Sequence, residues 1–212
     1  MLVTGIKSKP VYAPLRADAR GRYHLMLGFG QGAVALVRVL GEMQSLAPEG
    51  LARTRVLLMS ADGETPADGA MHPSDVRRSI ESLPLQEVRT FADMPALLGE
   101  LKPLLADSLM GTRLYVAGPE SFIGLALKIA LEFNLNKDEI RAEQLGSLAR
   151  RVYCIHCRAT AESVRTNIVR CPGCERWLLV RDHYSRRLAA YMGVMVDAEA
   201  SGELPPIKEV FV

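Results

Sequence analysis

The clearest chemistry in the sequence is carried by four cysteines in two pairs, Cys154-Ile155-His156-Cys157 and Cys171-Pro172-Gly173-Cys174, with thirteen residues, 158–170, between them. Two residues between thiolates let a tight turn aim both sulfurs at one ion. The intervening stretch is long enough to bring the chain back for the second turn. Pro172 presets φ and Gly173 tolerates positive φ, as such a turn needs. The pattern predicts a tetrahedral four-thiolate site made by Cys154, Cys157, Cys171 and Cys174, of the zinc-ribbon kind. Such a site has no open coordination position, so it organises structure and does not catalyse. Two disulfides, or four unliganded thiols, are the alternatives. His156 and His183 could substitute as ligands, but four sulfurs already fill a tetrahedron, so both read as surface or outer-sphere residues.

Iron is the competing metal. Cys171-Pro172-Gly173-Cys174 is similar to one rubredoxin knuckle, although the interval between knuckles is shorter and Glu175 stands where a glycine is usual. Zinc is the expectation, with iron as the alternative and, with it, a rubredoxin-like electron carrier. The segment around the cysteines is basic. From Arg150 to Arg187 there are nine arginines against Glu162, Glu175 and Asp182. It reads either as a surface for an anionic partner or as a solvated face over a small core. Tyr153, Trp177 and Tyr184 are few aromatics for base stacking, so nucleic acid is the less expected partner, and a nucleic-acid-binding zinc ribbon with a regulatory α/β domain stands as an alternative function.

Ahead of the cysteines, short apolar runs alternate with helical patterns. Strands are predicted at 25–27, 56–59, 85–91, 114–117 and 140–145. Helices are predicted from about 32 to 45, 74–83 with Ser74 as N-cap, 94–105 and 122–133. Buried strands separated by helices imply a doubly wound, mostly parallel five-stranded sheet. Two turns sit at strand ends, where ligands bind in such sheets. One holds Gly28, Gly30 and Gly32; the other holds Gly118 and Pro119. They could cradle a phosphate at a helix N-terminus or serve tight strand–helix packing. Asp62, the nearest acidic candidate for a ribose, lies too far along for the usual spacing. The expected organisation is an extension over 1–21, a Rossmann-like domain over 22–147, a four-cysteine ribbon over 148–183, and a helix (186–192, capped by Ser185) with a tail over 184–212.

Residues 113–122, the following helix and residues 139–147 resemble the last βαβ unit of the nicotinamide-nucleotide domain of ferredoxin reductases, and the resemblance covers roughly residues 22–147. It implies that fold. Ala117 stands where that family has the cysteine beside the nicotinamide, and the usual Thr and Pro of the first glycine loop are replaced. About 22 residues precede the first strand, too few for the flavin barrel, so hydride transfer is not implied. Arg181-Asp182-His183-Tyr184-Ser185 is similar to the flavin signature Arg-x-Tyr-Ser with one residue too many, and is read as chance.

The segments Leu178 to Arg187 and Tyr191-Met192-Gly193-Val194, taken with the knuckles, are similar to the small accessory subunit of bacterial dimethylamine monooxygenase. That resemblance spans most of the chain. It implies a zinc-binding subunit of a hetero-oligomeric, NADPH-driven oxidoreductase complex converting dimethylamine to methylamine and formaldehyde. Haem would sit in an oxygenase subunit, flavin and an iron–sulfur cluster in a reductase subunit, and this chain would dock or stabilise the two. The basic ribbon and the tail from Ala198 to Val212 would be the contact surfaces.

Composition sets the outer limits. The 212 residues are 49% hydrophobic and 24% charged, with a formal net charge of +2. Disorder throughout is excluded. No apolar run reaches the roughly 20 residues that span a bilayer, and the first residues lack the apolar core of an export signal. A cytoplasmic chain without membrane contact is expected, in which thiols stay reduced.

Overall fold

A computed structural model describes residues 8–60, 71–198, 202 and 204–212. The chain divides into two compact units: residues 12–146, and residues 8–11 together with 147–212.

The first unit runs β1 (Tyr23–Phe29), α1 (Gly32–Leu46), a 3₁₀ helix (Pro48–Arg53), β2 (Thr54–Met59), α2 (Pro73–Glu81), β3 (Glu87–Phe91), α3 (Met94–Ala106), β4 (Thr112–Gly118), α4 (Glu120–Glu132), a 3₁₀ turn (Lys137–Glu139) and β5 (Ile140–Gln144). Its strands are all parallel, in the order β3-β2-β1-β4-β5. The period of two along each strand sorts the side chains. Met26, Val56, Leu58, Tyr115 and Ala117 pack against α1 and α2. Leu25, Leu27, Leu57, Leu114 and Val116 pack against α3 and α4. Both faces are covered, which explains the unbroken apolar runs. Helix α2 starts one residue earlier than expected. Pro73 takes the first turn and His72 is the cap, its Nδ1 accepting from the Ser74 N–H at 3.3 Å, so Ser74 is not the N-cap. Asp62 lies outside the described residues.

Residues 12–18 belong to this unit and form a strap. Leu15 is buried in the α1 face, and its N–H donates to the Glu143 carboxylate at 2.6 Å. Arg38 donates to the same Glu143 oxygen, Oε2. The Ala17 N–H donates to Glu42 at 2.9 Å. The Asp18 carboxylate takes Arg20 at 3.1 Å, Arg113 at 3.1 Å and Arg141 at 3.0 Å. The Asp18 N–H donates to the Tyr115 hydroxyl, which lies 3.3 Å from His24 Nδ1. Burial alone would raise the Asp18 pKa, but hydrogen bonds from Arg20 and Arg113 outweigh it and hold the carboxyl well below the usual range.

The second unit contains β6 (Arg150–Cys154), β7 (Thr160–Val164), β8 (Ile168–Arg170), β9 (Trp177–Ser185) and β10 (Ala190–Met195), in the order β7-β6-β10-β9-β8. The pairs are antiparallel except β6 with β10. Flat, these five strands would separate β7 from β8 by about 19 Å. The linking residues 165–167 span at most about 14 Å, so the sheet must curl. The helix expected over 186–192 is not formed. Ser185 instead stabilises the β9–β10 turn, its hydroxyl accepting from the Leu188 N–H at 3.3 Å, and Ala190 onward is strand. Strands β9 and β10 therefore carry the sheet past residue 183.

The C-terminal residues lie on their own sheet. Asn167 and Lys208 exchange hydrogen bonds at 3.0 and 2.7 Å, and the N–H groups of Val210 and Phe211 donate to the Arg165 carbonyl. Buried Arg150 is stacked between the rings of Tyr191 (4.0 Å) and Phe211 (3.8 Å) and pairs with Asp182 at 2.6 Å.

Asp18→Asn is expected to destabilise the first unit by about 3 kcal/mol at neutral pH, because three arginines lose a buried partner. Asp18 has a depressed folded pKa, so its contribution is full above the unfolded carboxyl pKa of about 4. The contribution is lost as pH falls through the folded value. The gap between wild type and variant, read from urea midpoints, should therefore close below about pH 4.

Candidate metal centre

Both knuckles are built by one backbone pattern, used twice. In the first, the Cys154 N–H donates to the Ala159 carbonyl at 2.9 Å and the Arg158 N–H donates back to Cys154 at 3.0 Å. In the second, the Cys171 N–H donates to the Arg176 carbonyl at 2.8 Å and the Glu175 N–H donates back to Cys171 at 3.0 Å. Each loop turns on a residue with left-handed φ, Arg158 at 70° and Glu175 at 59°. Glycine takes that conformation freely, whereas another L-residue there costs about 1–2 kcal/mol.

The two turns bring all four sulfurs within 4.8 Å of one another. Cys157 and Cys171 stand 3.4 Å apart, Cys154 and Cys174 3.8 Å. A tetrahedron with metal–sulfur bonds of about 2.3 Å has edges of about 3.8 Å, so the donor set fits one tetrahedral ion. Cys154 and Cys171 are buried on Leu178, with Ala159 and Val169 alongside. Gly173 allows the close approach: a Cβ there would lie 2.7 Å from Ala159 and 3.1 Å from the Cys157 sulfur. His156 and His183 do not join the cluster.

The thiols do not titrate alike. Hydrogen bonds from the Arg176 backbone and side chain draw Cys174 down to about 6, against the burial that would raise it. For Cys157 the Ala159 N–H acts to lower the value. Burial and hydrogen bonds to the other three thiols outweigh it and push Cys157 up to about 12. A cation among the sulfurs replaces this competition with attraction and favours four thiolates.

The structure also brings the two glycine-bearing turns together, at the C-terminal ends of β1 and β4, where Gly28 is paired with Ala117. Gly28 is in β1, Gly30 turns at φ 53°, Gly32 opens α1, Gly118 ends β4, and Pro119 precedes α4. The glycines make room for backbone. A Cβ on Gly32 would lie 2.0 Å from the Ala117 carbonyl oxygen, and one on Gly118 3.0 Å from the Phe29 Cβ. At the start of α1, the Ala33 and Val34 N–H groups are taken up by the carbonyls of Gly30 and Gln31. At the start of α4, Glu120 is 3% exposed and the Tyr12 hydroxyl donates to its carboxylate at 3.3 Å. A cavity of about 160 Å³ lies at the opposite edge of the sheet, lined by His24, Arg53, Arg55 and Thr112 among others. The sequence alone did not single out Tyr12, Glu120 or the φ of Arg158, and it marked Glu175 only as standing where a glycine is usual. The visible signal for the last two is that each stands four residues after the first cysteine of its pair.

Cys171→Ser is expected to abolish metal retention and unfold the second unit while the parallel sheet persists, since a structural zinc contributes about 10 kcal/mol or more to a small module. Metal content and hydrogen exchange together check this; unchanged metal and protection would exclude four-sulfur ligation. Arg158→Gly removes a left-handed non-glycine residue and should raise the denaturation midpoint of the metal-loaded unit, by up to about 1 kcal/mol.

Two family models match the chain: "Dimethylamine monooxygenase subunit DmmA-like, N-terminal domain" over residues 4–140 and the corresponding C-terminal domain over residues 151–194. The chain is 32% identical over 120 residues to the haem-dependent oxidative N-demethylase delta subunit of Ectopseudomonas mendocina (strain ymp), covering 57% of this chain and 67% of that protein. Similar solved structures include a ferredoxin reductase of carbazole 1,9a-dioxygenase (16% identity, 61% of this chain and 34% of that one, TM-score 0.41). Another is a flavohemoglobin from Malassezia yamatoensis (10% identity, 62% and 33%, TM-score 0.42). The chain spans about a third of the length of each of these two structures. With the two domain models covering most of its length in order, the chain belongs to the DmmA-like family of dimethylamine monooxygenase subunits.

Proposed function

We propose that this chain is a non-catalytic, zinc-binding accessory subunit of a haem-dependent oxidative N-demethylase acting on dimethylamine. It joins a haem-bearing oxygenase subunit to a reductase subunit that carries flavin and an iron–sulfur cluster and draws electrons from NADPH. The observation that carries the reading is the relation to a delta subunit, itself one component of a haem-dependent demethylase by name. The metal chemistry agrees with a structural role. Cys154, Cys157, Cys171 and Cys174 would supply four thiolates, and a zinc so held has no position left for substrate or water. Zinc would lock the two knuckles together and supply folding free energy.

The crevice at the sheet's C-terminal edge supports the same conclusion. A dinucleotide in a sheet of this order sets its phosphates at helix N-termini. Here the first turn of α4 holds Glu120, a buried carboxylate, where an anion would bind. Like charges in one buried position repel strongly. Ala117 is fully buried and offers no thiol beside a nicotinamide. We read Gly28, Gly30, Gly32, Gly118 and Pro119 as packing residues of a reductase-like sheet that no longer handles hydride.

The test is a tagged chain purified from its native cell. It is expected to retain a haem protein and a flavoprotein, to be colourless when isolated alone with one zinc per chain, and to leave NADPH fluorescence unchanged. Retention of neither partner would overturn the subunit assignment. An iron–sulfur visible spectrum would replace it with a rubredoxin-like carrier, and NADPH binding would reassign the crevice.

A further inference from the structure

We propose that the end of the second unit remote from the sulfurs is a docking surface for an acidic protein. The inference rests on the subunit reading only for which proteins are tried as the partner.

Strand register fixes the location. Ser185 pairs with Ala190 and Arg150 with Val164, whereas Gly193 lies beside Cys154. Residues just outside the first two pairs, Arg165, Arg186 and Arg187, therefore share the end of the sheet opposite the knuckles. Two exposed lysines lie on segments hydrogen-bonded to the same sheet. Lys208 exchanges backbone and side-chain hydrogen bonds with Asn167. Lys9 follows Ser8, whose N–H donates to the Asp182 carbonyl and whose hydroxyl accepts from the Tyr184 N–H.

All five side chains are exposed, and none joins an ion pair among the described residues. The acids nearby are mostly engaged: Asp182 by Arg150 and Glu162 by Arg151. Glu209 is the one of these three acids that joins no ion pair among the described residues. In the first unit Arg16, Arg20, Arg38, Arg55, Arg77, Arg78, Arg89, Arg113 and Arg141 have carboxylate partners, while Arg22, Arg53, Lys102, Lys128 and Lys137 are exposed and join no ion pair among the described residues. What distinguishes the second unit is that Arg165, Arg186 and Arg187, all without an ion pair, fall together at one end of a small sheet. Such a cluster repels itself and becomes favourable against an opposite charge.

The apolar groups at this end decide between a protein and a nucleic acid. The C-terminal segment is clamped to the Arg165 carbonyl, and side chains along it alternate. Phe211 turns inward onto Arg150, while Val210 and Val212 face out at 46% and 67% exposure. Ile207, at 49%, extends the strip. The rings here, Tyr184, Tyr191 and Phe211, are stacked or buried and offer no face to a base. Aliphatic side chains ringed by unpaired cations suit a protein with an apolar patch and a carboxylate rim. Single strands are held by exposed rings, which this end lacks.

The test uses the full chain with its zinc, and the haem and flavoprotein subunits that the subunit reading names as its partners. Arg165→Glu/Arg186→Glu/Arg187→Glu is compared with Lys102→Glu/Lys128→Glu/Lys137→Glu, an equal change of charge on the first unit. Zinc content reports folding of each variant. At 50 mM salt the arginine triple should weaken binding of at least one subunit by about 30-fold or more, while the lysine triple changes it less than about 3-fold. Raising salt to 500 mM should weaken wild type and leave the arginine triple little changed. Wild-type binding that survives the arginine triple overturns the docking surface and leaves the subunit reading standing. Equal losses in both triples overturn the surface too. A wild-type chain that binds neither subunit overturns both ideas. If a 30-base-pair duplex or an oligonucleotide binds and the arginine triple abolishes this without affecting the subunits, the surface is a nucleic-acid site and the proposal fails.

Discussion

The convergence of four sulfurs within 4.8 Å is the constraint on which the second unit depends. Units below about 70 residues rarely draw enough stability from one apolar core. This one has a cluster around Val152, Val164, Val180, Tyr184 and Tyr191, and a smaller one made of Cys154, Cys171 and Leu178. The second of those clusters contains two of the four cysteines, so the candidate ligands are also the core. Each knuckle holds a non-glycine residue at left-handed φ. Strain of that kind persists only where the surroundings over-determine the backbone. Here two backbone hydrogen bonds per loop and the packing of the buried cysteines on Leu178 do so.

The first unit is governed by backbone proximity. Helix α1 lies so near β4 that Gly32 touches the Ala117 carbonyl, which requires the residue without a Cβ. The same glycines would be needed in a nucleotide-binding ancestor and in a sheet that has lost its nucleotide, because close helix–strand packing is common to both. What would separate the two cases is the chemistry placed at the helix ends, where this chain has the buried Glu120 carboxylate bonded by Tyr12. The strap from Tyr12 to Asp18 fixes that arrangement by closing Glu143, Glu42 and the arginine cluster onto the sheet.

Elements governed by local periodicity were legible in the sequence. The runs at 25–27, 56–59 and 114–117 are buried on both faces and read as strands at once, and the cysteine spacing announced its own convergence. The strap was not legible, because its contacts with the helices and sheet join positions far apart in the chain, 25 residues from Ala17 to Glu42 and 128 from Leu15 to Glu143. The stretch 186–192 was misread because a serine before a mixed polar and apolar run has the form of a capped helix. Pairing with β6 and β9 overrides that local preference, and Ser185 caps a turn instead. His72 was missed as a cap because imidazole is an uncommon one, although Pro73 after it is a usual first helical residue.

Near-neutral total charge concealed how differently the two units use their ions. In the first unit most arginines are matched with carboxylates, as Arg113 and Arg141 are with Asp18, so their charge is largely balanced within the fold. In the second, Arg150 is enclosed by two rings and Asp182, and the exposed cations beside it have no partner of their own among the described residues. The four sulfurs lie within 4.8 Å of one another and the Glu120 carboxylate is buried, so the sulfurs face one another and the carboxylate faces inward. The exposed cations are the charges left to act outward, and that difference follows from where each unit places its acids.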